Sequence, residues 1–385
     1  MNAIVERMAI KKSGDDLTNV IDDIGAEIAS NGAEAEALDQ YSSTNLELLK
    51  TQRFFSAMVP TSYGGGDFEY PEVATALTKL AHYHPSTALT CSMHQHVVAA
   101  NRYNDSHGKP GRKVLEKVAV NESVLISTGA GDWLASNGEC RVAEGGYIVS
   151  GIKHFASGSV VGDILVTSAP YDDPKDGPSV LHFPVAMSSP GVSVLDNWKA
   201  MGMRATGSNS VVLEEVFVPE EAVVARRPRG DYHAMWSVVL PIALPLIMSV
   251  YLGIAQSAAA RATQRVYGNT DPAIPYLLGE MENALTMATL AVEDMVALVG
   301  NLEFVPNLGL VNDIVKRKTI AAEACKATVA KALEVTGGAG FMRSSGIENL
   351  FRDVMASHFH PLQEKRQLLF TGSLALGMEP PGQSF

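Results

Sequence analysis

Along the first third of the chain, apolar residues recur every three or four positions, as in NLELLKTQRFFSAM (residues 45–58). That period predicts helices over residues 1 to about 122. One break is expected at VPTSYGGGDFEY (59–70), where three successive glycines, Gly64 to Gly66, disfavour regular structure. From about residue 123 the pattern changes. GYIVSGIKHFASG (146–158), DILVTSAPYDD (163–173) and NSVVLEEVFVP (209–219) alternate β-branched with polar residues, so a small all-β domain is predicted. Pro170, Pro174, Pro178, Pro184 and Pro190 are expected to mark loops between its strands. PEEAVVARRPRG (219–230) reads as a linker, with Arg226, Arg227 and Arg229 in a solvated loop.

Helical periodicity then returns to about residue 375. LGIAQSAAARATQRV (252–266) and VKRKTIAAEACKATVAKALEV (315–335) are long, alanine-rich and free of proline, as close helix packing wants. The expected domains are therefore an N-terminal helical domain (1–122), a middle β-barrel (123–225) and a C-terminal helical bundle (226–385). The fold class is mainly α with a central β-domain. Strands and helices do not alternate, which disfavours a doubly wound nucleotide-binding sheet.

Composition narrows the function. The 385 residues are 46% hydrophobic and 19% charged, in keeping with a large buried core. The net charge of −12 argues against nucleic acid as a partner. Cys91, Cys140 and Cys325 are too few and too scattered for a disulfide framework or a zinc site, which fits a reducing, cytoplasmic setting. The most apolar stretch, VVLPIALPLIMSV (238–250), is short for a membrane span and carries two prolines. It is expected to be a buried helix with a kinked start in a soluble protein.

Direct motifs are scarce. There is no phosphate-binding P-loop, no G-x-G-x-x-G after a strand and no nucleophile elbow. His-x-His occurs at His82/His84, His94/His96 and His358/His360. Residues two apart on a helix point away from each other, so no metal site is expected and packed histidines are the plainer reading.

GYIVSGIKHFASG, WKAMGMRATGSNSVVLEEVFVP (198–219) and EVTGGAGF…LFRDV (334–354), with VPTSYGGGDFEY before them, resemble in wording and order the acyl-CoA dehydrogenase superfamily of flavoproteins. The resemblance spans roughly residues 55–375. It implies FAD as cofactor, with FMN as the variant, a small-molecule substrate, first of all a CoA thioester, and a homo-oligomer, dimer or tetramer. It also implies that Phe155 packs on the flavin ring and that Ser157 hydrogen-bonds its edge. Ser127 or Thr128 would face the pyrimidine side, and Gly337 and Gly338 would approach the pyrophosphate from a neighbouring subunit.

The departures from the family pattern matter as much. The position of the family's catalytic Glu falls on Pro361, and its alternative placement falls on Ala243. Neither side chain can take a proton. The Arg that holds a CoA phosphate in the family aligns with Leu244, and the Gln before the glycine pair aligns with Glu334. Desaturation by the usual base would lose about 10² to 10⁴ in rate. His360, or His358 two residues earlier, is the natural substitute, because imidazole ordinarily titrates near neutrality.

Three functions follow from the resemblance. The first is an FAD-dependent oxidoreductase acting on a thioester with atypical acid–base groups, passing electrons to an acceptor. The second is an oxygenase using reduced flavin and O₂, fed by a partner reductase, on a CoA ester or a small aromatic or secondary metabolite. The third is a flavin-less binding or assembly subunit.

Overall fold

A computed structural model describes residues 17–129, 131, 136–230 and 232–379. The N-terminal part is helical: α1 (Leu17–Ala37), α2 (Ser43–Thr51), α3 (Tyr70–Tyr83), α4 (Pro85–Ser106) and α5 (Arg112–Asn121). The break between α2 and α3 lies where expected. Gly64 adopts φ +89°, and a Cβ on Gly65 would come within 2.2 Å of the Val59 carbonyl oxygen, so the loop folds too tightly for a side chain there. Glu69 and Glu72 form a capping box that starts α3, with Pro71 in its first turn.

The β-domain takes the form of two four-stranded sheets closed around one core. The first runs β1 (Leu125–Ser127), β4 (Ile164–Asp173), β5 (Gly177–Ala186), β8 (Ala225–Pro228). The second runs β2 (Glu139–Ala143), β3 (Gly146–Lys153), β7 (Val211–Pro219), β6 (Val192–Val194). Tyr147, Val149, Leu165, Leu181, Phe183 and Leu213 from both sheets meet between them. β1 pairs parallel with β4, and the other neighbours are antiparallel.

Two expectations fail here. Pro170, Pro178 and Pro184 lie inside strands, whereas Pro174 and Pro190 do sit in the connections. β1 reaches only Val166 of β4, and β8 covers only Ser179–His182 of β5. A proline outside those stretches interrupts no ladder on that edge. The arginine-rich stretch is also no solvated linker. It contains β8, whose alternation turns Arg227 inward to donate to His182 Nε2 at 3.1 Å and to lie 5.2 Å over the Trp236 ring. Arg226 stays at the surface on Glu220 and Tyr147.

The C-terminal part consists of α6 (Trp236–Val266), α7 (Ile274–Val299), α8 (Leu308–Thr336), α9 (Ile347–Val354) and α10 (Glu364–Ala375). α6 is the apolar stretch. Among the described residues it is the one helix long and apolar enough to cross a membrane by length and composition, yet 89% of its most apolar window is buried within the protein. Pro241 and Pro245 stay inside the helix. Prolines leave carbonyls of the preceding turn without their usual donors. Nearby, the Tyr70 hydroxyl donates to the Ile242 carbonyl at 2.7 Å, and the Ser249 hydroxyl to that of Pro245 at 2.9 Å. α6 thus serves as the shared wall between the N-terminal helices and the bundle, in one continuous core.

Candidate active site

Where α4, α6, the β-domain and the turn after α9 meet, they enclose a cavity of about 510 Å³. α6 lines it with Trp236, Val239, Leu240, Ala243, Leu244 and Ile247, which share one helical face by their spacing. α4 contributes Leu89, Met93 and His96, again one face. The β-side carries Ser127, Thr128, Phe155, Ser157, Trp198 and Ser208. The turn after α9 closes it with Phe359, His360 and Pro361.

Each β-side group is placed by its backbone. β1 ends at Ser127, so Ser127 and Thr128 leave the sheet at its edge. Phe155, just past β3, adopts φ +57°, an uncommon conformation for a non-glycine residue, and the residue is 60% exposed. The ring meets Trp198 edge-on at 6.2 Å. The amide of Gly129 donates to the His154 carbonyl, and a Cβ there would press on the Phe155 ring at 2.9 Å. Ser157 Oγ lies 2.8 Å from Ser208 Oγ, which lies 2.7 Å from Thr206 Oγ1.

The buried Ser127 hydroxyl has no hydrogen-bond partner among the described residues. A buried polar atom is ordinarily satisfied, so one left open on a cavity marks a place for a polar ligand edge. With an outward-facing aromatic ring beside it and the Ser157–Ser208 hydroxyl chain, this wall fits a flavin, which wants a flat apolar face and a few fixed hydrogen-bonding groups.

The opposite corner belongs to His360. Its Nε2 lies 2.7 Å from the Tyr251 hydroxyl of α6, and Lys318 of α8 donates to its carbonyl oxygen at 2.8 Å and to that of Leu362 at 3.2 Å. Proline at 361 makes this turn by disfavouring helix at residue 360. Burial, then the Lys318 and His96 charges, push the imidazole down to about 3, so it is neutral at pH 7. This changes the chemistry expected from the sequence: His360 offers fixed neutral nitrogens, not a base poised at neutrality. His358 points elsewhere, to Lys326 Nζ at 3.1 Å and Glu323, and lines no part of the cavity.

Gly337 and Gly338 end α8 in an exposed turn, and they too are absent from the cavity wall. The three positions of the family's missing groups, Ala243, Leu244 and Pro361, all face it. No carboxylate does so among the described residues.

Sequence reasoning missed His96. Its Nδ1 lies 3.2 Å from the Ser92 carbonyl oxygen, which fixes the proton there and leaves Nε2 as an acceptor. Burial pushes it down to about 4. His94, two residues earlier, faces away to the Phe55 carbonyl and the Leu125 amide. Only the face shared with Leu89 and Met93 distinguishes His96, and that face acquires meaning once the cavity is known.

Family models agree with this geometry. The acyl-CoA dehydrogenase N-terminal domain matches residues 19–121, and the C-terminal domain matches residues 246–364. The chain belongs to the acyl-CoA dehydrogenase superfamily. It is thereby an oxidoreductase of the flavin-dependent kind. Within the superfamily it is similar to an amino sugar nitrososynthase of Streptomyces peucetius, at 26% identity over 89% of this chain and 90% of that protein. A dibenzothiophene monooxygenase of Rhodococcus qingshengii is 29% identical over 60% of this chain and 57% of that protein. The crystal structure of KijD3 in complex with FMN and dTDP-3-amino-2,3,6-trideoxy-4-keto-3-methyl-D-glucose superposes with a TM-score of 0.86, at 24% identity, over 97% of both chains.

Proposed function

We propose that this superfamily member is a flavin-dependent oxygenase that uses reduced flavin, delivered by a separate reductase, and O₂ to oxidise a small molecule. One observation carries the reading: at the two positions where the family places its α-proton base, the cavity presents Ala243 and Pro361, and the imidazoles that face it are held neutral. A dehydrogenase needs a base there. An oxygenase needs a water-poor cavity with fixed, uncharged hydrogen-bonding groups. The likeness to a monooxygenase and a nitrososynthase supports the same choice.

In this reading one atom of O₂ enters the substrate and the other leaves as water, with two electrons from the reduced flavin. Bound flavin supplies that electron transfer and the activation of O₂. Phe155 would back the ring, Ser127 and Ser157 would meet its polar edge, and Thr128 would line the approach. His360 and His96 would offer neutral nitrogens to the reacting oxygen atoms, the His360 ring being held by Tyr251 and its backbone by Lys318. His358 has no part in it. FMN is the favoured cofactor, since KijD3 was crystallised with it and the family's Gln position here is Glu334, tied to Lys331. Gly337 and Gly338 would contribute only across a subunit boundary.

The test is anaerobic and aerobic mixing of the flavin-loaded protein. Expected are no bleaching of oxidised flavin by acyl-CoAs, and O₂ uptake once the flavin is reduced by NAD(P)H and a reductase. Bleaching by an acyl-CoA without O₂ would return the chain to the dehydrogenases.

A further inference from the structure

The cavity is divided by polarity. Its β-side holds four hydroxyls, on Ser127, Thr128, Ser157 and Ser208, whereas the face opposite, built by α6 and α4, is carbon apart from the Trp236 ring nitrogen, the Met93 sulfur and the His96 ring. Three ionisable side chains line it among the described residues, and none is free to balance a ligand charge. His96 and His360 are neutral at pH 7. Arg352 is spent on Glu348, at 2.9 Å from its Nε, and on the Met201 carbonyl, at 2.9 Å from its Nη1. Gln363, the remaining polar side chain, leans on the Phe359 carbonyl.

From this division we infer that the helical half of the cavity takes an uncharged, apolar ring molecule that bears no carboxylate, phosphate or CoA group. A flavin seated on the β-side would meet the open Ser127 hydroxyl, so the substrate's share is the space against Leu89, Met93, Val239, Leu240, Ala243 and Leu244. A carboxylate brought there without a partner loses its hydration and gains nothing in return. An apolar ring gains by leaving water. The edge-exposed residues agree: Phe155, Met201 and Phe359, at 60%, 58% and 71% exposure, make the cavity's accessible side apolar as well. Part of the space comes from the small side chain at Ala243, where a larger one would fill it.

The inference rests on the oxygenase reading for the fate of the ligand, and binding tests it separately. Titration calorimetry of the FMN-loaded protein at pH 7 would compare 2-naphthol with 2-naphthoate, which share a ring system and differ in charge. Benzoyl-CoA and thymidine diphosphate would serve as competitors. The naphthol is expected to bind at least tenfold more tightly than the naphthoate, and neither competitor should displace it. Ala243→Phe, which fills the helical half, should weaken naphthol at least tenfold while leaving the FMN affinity unchanged. Ala243→Leu offers the same test should the larger ring disturb folding. Naphthoate, benzoyl-CoA or thymidine diphosphate binding as tightly as the naphthol would overturn the inference. So would absent naphthol binding, or naphthol binding indifferent to both substitutions. Should naphthol bind as expected while reduced flavin consumes no O₂ in the earlier test, the ligand class stands and the oxygenase reading falls.

Discussion

The Tyr251 hydroxyl lies 2.7 Å from Nε2 of His360, joining the middle of the long apolar helix to the turn that closes the cavity. Burial raises Tyr251 well above its ordinary value, so the phenol remains protonated. The pair holds the imidazole plane in place whichever partner carries the bridging proton.

Tyr251→Phe keeps the ring and deletes this bond. Misplacement of a reacting group by about 1 Å can cost on the order of 10² in rate. Product formed per O₂ consumed should fall and hydrogen peroxide should rise, while the melting temperature changes little. Unchanged coupling would show that the imidazole needs no such support.

His360→Ala and His96→Ala should each impair oxygenation without abolishing flavin binding, because the Phe155 and Ser127 wall is untouched. Flavin fluorescence quenching reads the second property directly. His358→Ala should behave like the wild type, its contacts being with Lys326 and Glu323 outside the cavity. A variant of His360 that turns over at full rate would remove the imidazole from the mechanism.

Lys318 is buried in α8 and donates to the carbonyls on either side of Pro361. Lys318→Met leaves those two acceptors without their donor. The expected result is a local one: faster amide exchange over residues 359–363, with exchange in α8 itself little changed. Uniformly faster exchange across the bundle would mean that Lys318 is a global strut.

Asp353 takes the Met203 amide at 2.6 Å and the Asn349 side-chain amide at 2.8 Å, and so ties α9 to the loop carrying Trp198 and Met201. A Cβ on the adjacent Gly202 would come within 2.2 Å of the Arg352 carbonyl oxygen. Gly202→Ala should therefore cost about 1–3 kcal/mol in denaturant unfolding. Asp353→Leu should cost about the same by stranding the Met203 amide. A loss below a few tenths of that in either variant would show the loop to be loosely held.

Acid should unfold the protein through its buried histidines. His94 and His96 are each pushed by burial down to about 4, and His182 and His360 to about 3, against an ordinary 6.5. Between 6.5 and 4 the unfolded chain binds protons that the native chain refuses. Their stabilising contribution is complete above 6.5 and is lost as pH falls, by up to about 1.4 kcal/mol per pH unit for each histidine. Asp353 acts in the opposite sense, since burial raises it to about 7 and the native state holds its proton first. Melting temperatures between pH 7 and 4.5 should fall because the four histidines outweigh Asp353. Flat or rising values would contradict the neutral assignment of these imidazoles.

Periodicity alone located the helices, the β-domain and the bundle, because 3.6- and 2-residue repeats are local properties that survive without knowledge of neighbours. Motif order added the family, and counting along it revealed that Ala243, Leu244 and Pro361 stand where charged groups are usual. Proline in β4 and β5 and the buried arginine of β8 were beyond such reading, since a strand's tolerance for either depends on which edge its neighbours cover. The fate of the histidines was likewise unreadable. His94 and His96, or His358 and His360, are equivalent in a string of letters. The fold aims one of each pair into the cavity and turns the other away, and burial then makes those it keeps neutral. The sequence by itself determined the elements, the family and the missing carboxylate. Which imidazoles face the cavity, and in what charge state, was decided only by tertiary packing, because orientation and desolvation are set by residues far apart along the chain.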